Sequence, residues 1–78
     1  MQLLDLTPHV CPLPLIKVKL WLKNAELGSA LVVLLKDPGS RQDIPAYLTA
    51  LGNTVRVIED DTLLRIEVQK CTQHLSLQ

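Results

Sequence analysis

Apolar and polar positions fall into short blocks along the chain, and each block predicts an element. Leu3-Leu4-Asp5-Leu6 is an apolar run halted by Thr7-Pro8, which reads as an edge-length strand. Pro12 and Pro14 bracket the first turn of a predicted helix, where proline costs no hydrogen bond because the first amides lack intrahelical partners. That helix extends to about Glu26 and closes at Leu27-Gly28, where glycine accepts a left-handed backbone. Ala30 to Lys36 is a continuous apolar run of strand length, suited to a central strand covered on both faces. Asp37-Pro38-Gly39-Ser40 has turn chemistry, with Ser40 placed to cap a second helix from about Arg41 to Leu51 that Gly52-Asn53 ends. Thr54 to Glu59 and Leu63 to Lys70 are two further strands around the acidic turn Asp60-Asp61. In the last strand Leu64, Ile66 and Val68 alternate with Arg65, Glu67 and Gln69.

The resulting order is βαβαββ. Strands separated by helices pair in parallel through right-handed crossovers, and the last two strands form an antiparallel hairpin. The predicted fold is therefore an α/β (α+β) two-layer sandwich: a mixed four-stranded sheet with two helices on one face. At about 100° per residue, Leu15, Val18, Leu22 and Ala25 form one stripe of the first helix, with Trp21 at its edge. Leu13, Ile16, Leu20 and Leu27 form another on roughly the opposite side. Only one stripe can lie fully on the sheet. Leu15, Val18 and Leu22 are expected to be buried, leaving Leu13, Ile16 and Leu20 partly exposed and bordered by Lys19 and Lys23. Two readings of the outer stripe stand open: the second helix covers it, or it docks a partner protein.

Composition narrows the class. A chain of 78 residues makes one domain, 1–78 with an ordered core of about 2–71, and its core must be aliphatic because Trp21 and Tyr47 are the only aromatics. Two cysteines cannot staple a scaffold as secreted miniproteins do. Net charge is zero without a run of Lys or Arg, which argues against direct nucleic-acid binding. The first ten residues do not read as an export signal, and the apolar run Ala30 to Leu35 is too short for a membrane span. The expectation is a cytoplasmic protein with no membrane association, a monomer or weak dimer. The polar tail beyond Cys71 is expected to fray.

The candidate chemistry lies at Cys11. It sits between the first strand and a proline-marked helix start, at the carboxyl edge of the sheet where α/β proteins usually place their sites. Unpaired amides and the helix dipole favour the thiolate there, and the thiolate is the nucleophile. Pro12 and Pro14 restrict the turn beside the sulfur, and His9 lies two residues upstream. The acidic groups Asp37 and Asp60-Asp61 oppose the anion from loops at the same edge. Cys71, at the end of the last strand with no helix start nearby, reads as inert. A cysteine hydrolase would need a base and a substrate pocket, and the only histidines are His9 and His74. Two cysteines and two histidines so scattered match no zinc spacing, so neither metal nor cofactor is expected. In the predicted topology Cys11 and Cys71 fall at opposite ends of the sheet, too far apart for a disulfide. A lone exposed thiol suits a relay in which the partner supplies acid–base groups. A binding or regulatory module and a thiol redox sensor are the alternatives.

Cys11-Pro12-Leu13-Pro14, preceded by Leu4-Asp5-Leu6 and followed by Asp37-Pro38-Gly39-Ser40 and Asp43-Ile44-Pro45, resembles the TusA/SirA-like sulfur-carrier family. The resemblance runs from Leu4 to about Val68. It implies a two-layer α/β fold and a persulfide carried on Cys11, with Pro12, Pro14, Asp37, Pro38 and Gly39 as structural parts of the motifs. It also implies a cysteine desulfurase or rhodanese-like sulfur donor and a sulfur-acceptor protein. In the best-known branch of the family the sulfur reaches a thiolated wobble uridine of tRNA, and other branches serve other sulfur or selenium metabolism. The chain departs from the family pattern at Pro8, usually glycine, and at Val10, often a basic residue.

Overall fold

A computed structural model describes residues 2–71. The elements are β1 (Gln2–Asp5), α1 (Leu13–Asn24), β2 (Ala30–Leu35), α2 (Pro38–Ala50), β3 (Thr54–Asp60) and β4 (Leu64–Gln69). They form one sheet in the order β1-β2-β4-β3, with β1 parallel to β2 and the other pairs antiparallel. Val18 and Leu22 of α1 and Ile44 and Leu48 of α2 pack in one cluster with Leu31, Val33, Leu35, Leu64, Ile66 and Val68. Both helices thus cover the same face, as the βαβαββ order predicts. The tail after Cys71, His74 included, lies outside the described residues.

β2 departs from its sequence pattern. Leu31, Val33 and Leu35 are buried, whereas Ala30, Val32 and Leu34 are only half-buried. The central strand is covered on one face, and the aliphatics on its other side hide that alternation in the sequence. On the open face Val32 pairs with Glu67 and Leu34 with Arg65. Cross-strand ion pairs join Arg56 to Glu67 at 2.6 Å and Arg65 to Glu59 at 3.6 Å. The β3–β4 register shifts between Val57 and Glu59, a bulge on the edge strand that discourages further strand pairing.

The helix ends also differ from prediction, for reasons that lie in side chains. α1 stops at Asn24, short of Glu26, and Ala25 turns to extended backbone. The buried Lys70 ammonium donates to Leu22 O at 2.6 Å and Ala25 O at 2.7 Å, satisfying carbonyls left over at the helix end. Gly28, with φ of 87°, serves the turn that follows rather than the helix cap. α2 begins at Pro38, not Arg41, because Asp37 is its N-cap: Asp37 Oδ2 accepts from Ser40 N and Ser40 Oγ, each at 3.0 Å. Ser40 is therefore a buried first-turn residue rather than the cap.

Candidate functional site

Three connections leave the sheet at one edge. β1 and β2 run parallel, so the loop before α1 and the loop before α2 emerge together, and the pairing of Leu35 with Leu64 brings the β3–β4 turn beside them. Cys11 is on the first connection, Asp37 on the second, and Asp60-Asp61 on the third. Cys71 follows β4 at the opposite end, next to Thr54, whose Oγ1 lies 3.1 Å from its sulfur. Both cysteines are free and exposed, and the topology keeps them apart.

The loop carrying Cys11 is held by short-range bonds. Leu6 N donates to Leu34 O and His9 N to Leu6 O, each at 3.0 Å, anchoring the exit from β1. Asp5 Oδ1 accepts from Thr7 N at 3.0 Å and Thr7 Oγ1 at 2.6 Å, which holds the Asp5 carboxyl below its ordinary 3.8. Leu13 N then donates to Val10 O at 3.0 Å, closing a turn around Cys11 and Pro12, whose shared peptide bond is cis. Cys11 precedes the N-cap of α1, which is Pro12. Of the amide positions that a helix start normally presents, Pro12 and Pro14 have no hydrogen and Leu13 is committed to Val10. The helix N-terminus therefore offers the Cys11 sulfur fewer donors than the sequence position alone suggests.

The predicted site residues separate into two groups. Pro14 is buried beneath the turn and, with Val18 and Leu22, forms the inward stripe of α1, while Leu15 lies half-buried at its margin instead of in the core. Pro14 takes that place because α1 begins at Leu13 and turns residues 14, 18 and 22 toward the sheet. Leu13, Ile16 and Leu20 are 46%, 47% and 55% exposed, so α2 does not cover the outer stripe. Val10, next to Cys11 in the chain, is also exposed. Lys19 is half-buried and points to α2, its Nζ 5.4 Å from the centre of the Tyr47 ring. Asp37, Pro38 and Gly39 stand at the start of α2, facing the same edge as Cys11. The opposing acid Asp60 is paired with Arg41 at 2.6 Å, and Arg41 also donates to Asp61 O and Thr62 O, fixing the hairpin turn to α2. The surface grooves lined by Pro38, Arg41, Pro45 and Val57, and by Gln2, Trp21 and Ala30, do not include Cys11.

Two roles escaped the sequence reading: Asp37, read as a turn and motif residue, is the N-cap of α2, and Lys70, read only as a strand end, closes α1. Asp37 had a signal, since Asp before Pro is a natural N-cap followed by a first-turn proline. Lys70 had one as well: it continues the period-two series Leu64, Ile66, Val68 and so points inward.

The Asp37 carboxyl is held below its ordinary 3.8 by the backbone and side-chain bonds from Ser40, with a smaller contribution from the backbone amide of Cys11. A depressed folded-state value stabilises the fold at pH above the unfolded value, and that stability is lost as pH falls through the folded one. The melting temperature should therefore drop below pH 3.8, where Asp5 and Asp37 take up protons. Asp37→Asn should lower stability at neutral pH and flatten part of the acid limb; an unchanged limb in thermal melts against pH would show that Asp37 does not contribute.

Fold and site together define a small two-layer α/β protein with one of its two exposed thiols, Cys11, at the end of the sheet from which α1 and α2 start, and with an uncovered apolar face on α1. Residues 2–70 match the family described as Sulfurtransferase TusA, and the chain belongs to that family. The sulfur carrier protein TusA of Pseudomonas putida is 32% identical over 76% of this chain and 74% of its own length. A protein of Archaeoglobus fulgidus is 34% identical over 90% of this chain and 97% of its own. The crystal structure of a SirA-like protein from Desulfitobacterium hafniense has the same fold, with a TM-score of 0.75, 24% identity, and coverage of 92% of this chain and all of that one.

Proposed function

We propose that this chain is a single sulfur-carrier domain over residues 1–78 that takes up sulfane sulfur as a persulfide on Cys11 and hands it to an acceptor protein. The observation that carries the reading is the exposure of Cys11 on a turn held from both sides. Membership of the sulfurtransferase family supports it. The Cys11 thiolate attacks the terminal sulfur of a donor's cysteine persulfide. A new S–S bond forms at Cys11, the donor's S–S bond breaks, and the donor cysteine leaves as thiolate. The proton of a Cys11 thiol passes to a base of the partner or to water. In the second half the acceptor attacks the terminal sulfur and Cys11 is the leaving group, so oxidation states balance without a cofactor.

Donor and acceptor proteins supply the groups this surface lacks. A cysteine desulfurase or rhodanese-like enzyme fits the donor role, and tRNA thiolation is one destination for the sulfur among other sulfur metabolism. Both halves belong to the cytoplasm. The donor docks on Leu13, Ile16 and Leu20, where an exposed apolar stripe leads along α1 to the sulfur. Pro12 and Pro14 hold the turn, and Lys19 borders the stripe while resting on Tyr47.

Incubation with a cysteine desulfurase and cysteine should raise the intact mass by one sulfur atom. Treatment with a small thiol should release it as sulfide. A chain that stays at its starting mass with an active donor would overturn the carrier reading.

A further inference from the structure

The sheet has a face that neither helix covers. Both helices pack on the side of Leu31, Val33, Leu35, Ile66 and Val68, and among the described residues no element lies on the other side. That open face is divided along its length. On β1 and β2 it is aliphatic: Leu3, 60% exposed, pairs with Val32, and Val32 and Leu34 are half-buried. On β4 and β3 it is charged, and the signs alternate in both directions. Arg65 and Glu67 follow one another on that face of β4. Glu67 is bound to Arg56 of β3 at 2.6 Å, and Arg65 to Glu59 of β3 at 3.6 Å.

Such a pattern is its own complement. Val33 pairs with Ile66, and Val32 and Leu34 on β2, like Glu67 and Arg65 on β4, lie one residue to either side of that level. A two-fold axis in the plane of the face, crossing the strands there, lays each strand on its own copy in reverse. Val32 then meets Leu34 of the second copy, and Arg65 meets Glu67 of that copy. Aliphatic strands face aliphatic strands, and each charge on β4 faces its opposite. An axis along the strands would instead lay β2 on β4 and set Val32 and Leu34 against charge. Leu3 faces Asp5 of the copy, at the rim, where water reaches both. Face-to-face sheets align within about 30°, a rotation that displaces the rim more than the four central residues.

We infer that the open sheet face is a contact between two copies of this chain, formed about a two-fold axis across β2 and β4. Four strands about 4.8 Å apart, each of about six residues at 3.3 Å, give a footprint on the order of 400 Å² per chain. That is about half of what a stable interface buries on each partner, so the dimer is weak, half-formed on the order of 100 µM. The inference is independent of the sulfur-carrier reading. The face lies on the far side of the sheet from α1, so pairing leaves the outer stripe of that helix uncovered on both copies.

Sedimentation of the full chain from about 10 µM to 1 mM, a range that brackets a weak interface, should pass from the mass of one chain toward that of two. Amide NMR shifts over the same series should move at Val32, Leu34, Arg65 and Glu67 and stay fixed along α1. Arg65→Glu and Glu67→Arg each set like charges against one another across the axis, so each variant should associate at least about tenfold more weakly. Mixed in equal amounts they should recover most of that loss, because the acids of one variant then face the bases of the other. Circular dichroism checks that both fold; if either does not, the amide shifts of the parent still decide. A parent that stays a single chain throughout the series, or amide shifts centred on α1, would overturn the inference. So would folded variants that associate like the parent or fail to rescue each other.

Discussion

A chain carrying Ile16→Glu and Leu20→Glu should fold normally and fail to accept sulfur from a protein donor. Both side chains are about half exposed on the outer face of α1, so neither substitution empties the core. Exposed positions of this kind usually change stability by no more than about 0.5 kcal/mol. Two glutamates four residues apart add a like-charge cost of only a few tenths. Interface anchors, by contrast, each cost about 2 kcal/mol or more when removed, so loading should fall at least about 100-fold. A small persulfide donor, which needs no docking surface, should still load Cys11 in the same variant. Circular dichroism melts and intact mass with the two donors separate the outcomes. Collapse of the double variant would mean that the stripe supports the fold. Unimpaired loading from the protein donor would mean that contact is made elsewhere.

Removal of the Lys70 side chain should be among the most damaging single changes to the fold. The ammonium is buried and serves two carbonyls at the end of α1, where the helix dipole also favours a cation. Its main chain joins the same corner, since Gly28 N donates to Lys70 O at 2.8 Å and Lys70 N to Ser29 O at 2.9 Å. Losing charge-assisted bonds while leaving carbonyls buried should cost about 3 kcal/mol. For a domain of this size that is roughly 12–24 °C in melting temperature. Lys70→Met keeps the aliphatic stem and loses only the charge and its bonds, and it should lose most of the same stability. A Lys70→Met chain that melts with the parent would show that the stem alone matters.

Hydrophobic spacing was enough to read the order of elements, the placement of both helices on one face and the outer stripe of α1, whereas Pro14 rather than Leu15 completes the inner one. Val18 and Leu22 inside and Leu13, Ile16 and Leu20 outside follow from a repeat of 3.6 residues and one available sheet face. Coverage of β2 was not legible, because Val32 and Leu34 on the open face are as aliphatic as Leu31 and Val33 beneath the helices. Helix ends failed where a distant or capping side chain decides them. Lys70 is 48 residues from the Leu22 carbonyl it serves, a contact that no local rule reveals. Asp37 moved the start of α2 to Pro38 by accepting from Ser40. At the site, the position of Cys11 before α1 was plain from its prolines. The depletion of helix-start donors needed the Leu13 to Val10 bond to be seen.

Which of the two cysteines takes the sulfur can be measured on two single-cysteine chains. Cys71→Ser and Cys11→Ser are incubated side by side with the same cysteine desulfurase and cysteine, and the added sulfur is weighed on the intact chains. Cys71 sits at the far end of the sheet beside Thr54, away from the apolar face of α1. The Cys71→Ser chain should gain one sulfur atom and the Cys11→Ser chain none. Loading that survives Cys11→Ser and disappears with Cys71→Ser would contradict the assignment of Cys11 as the carrier.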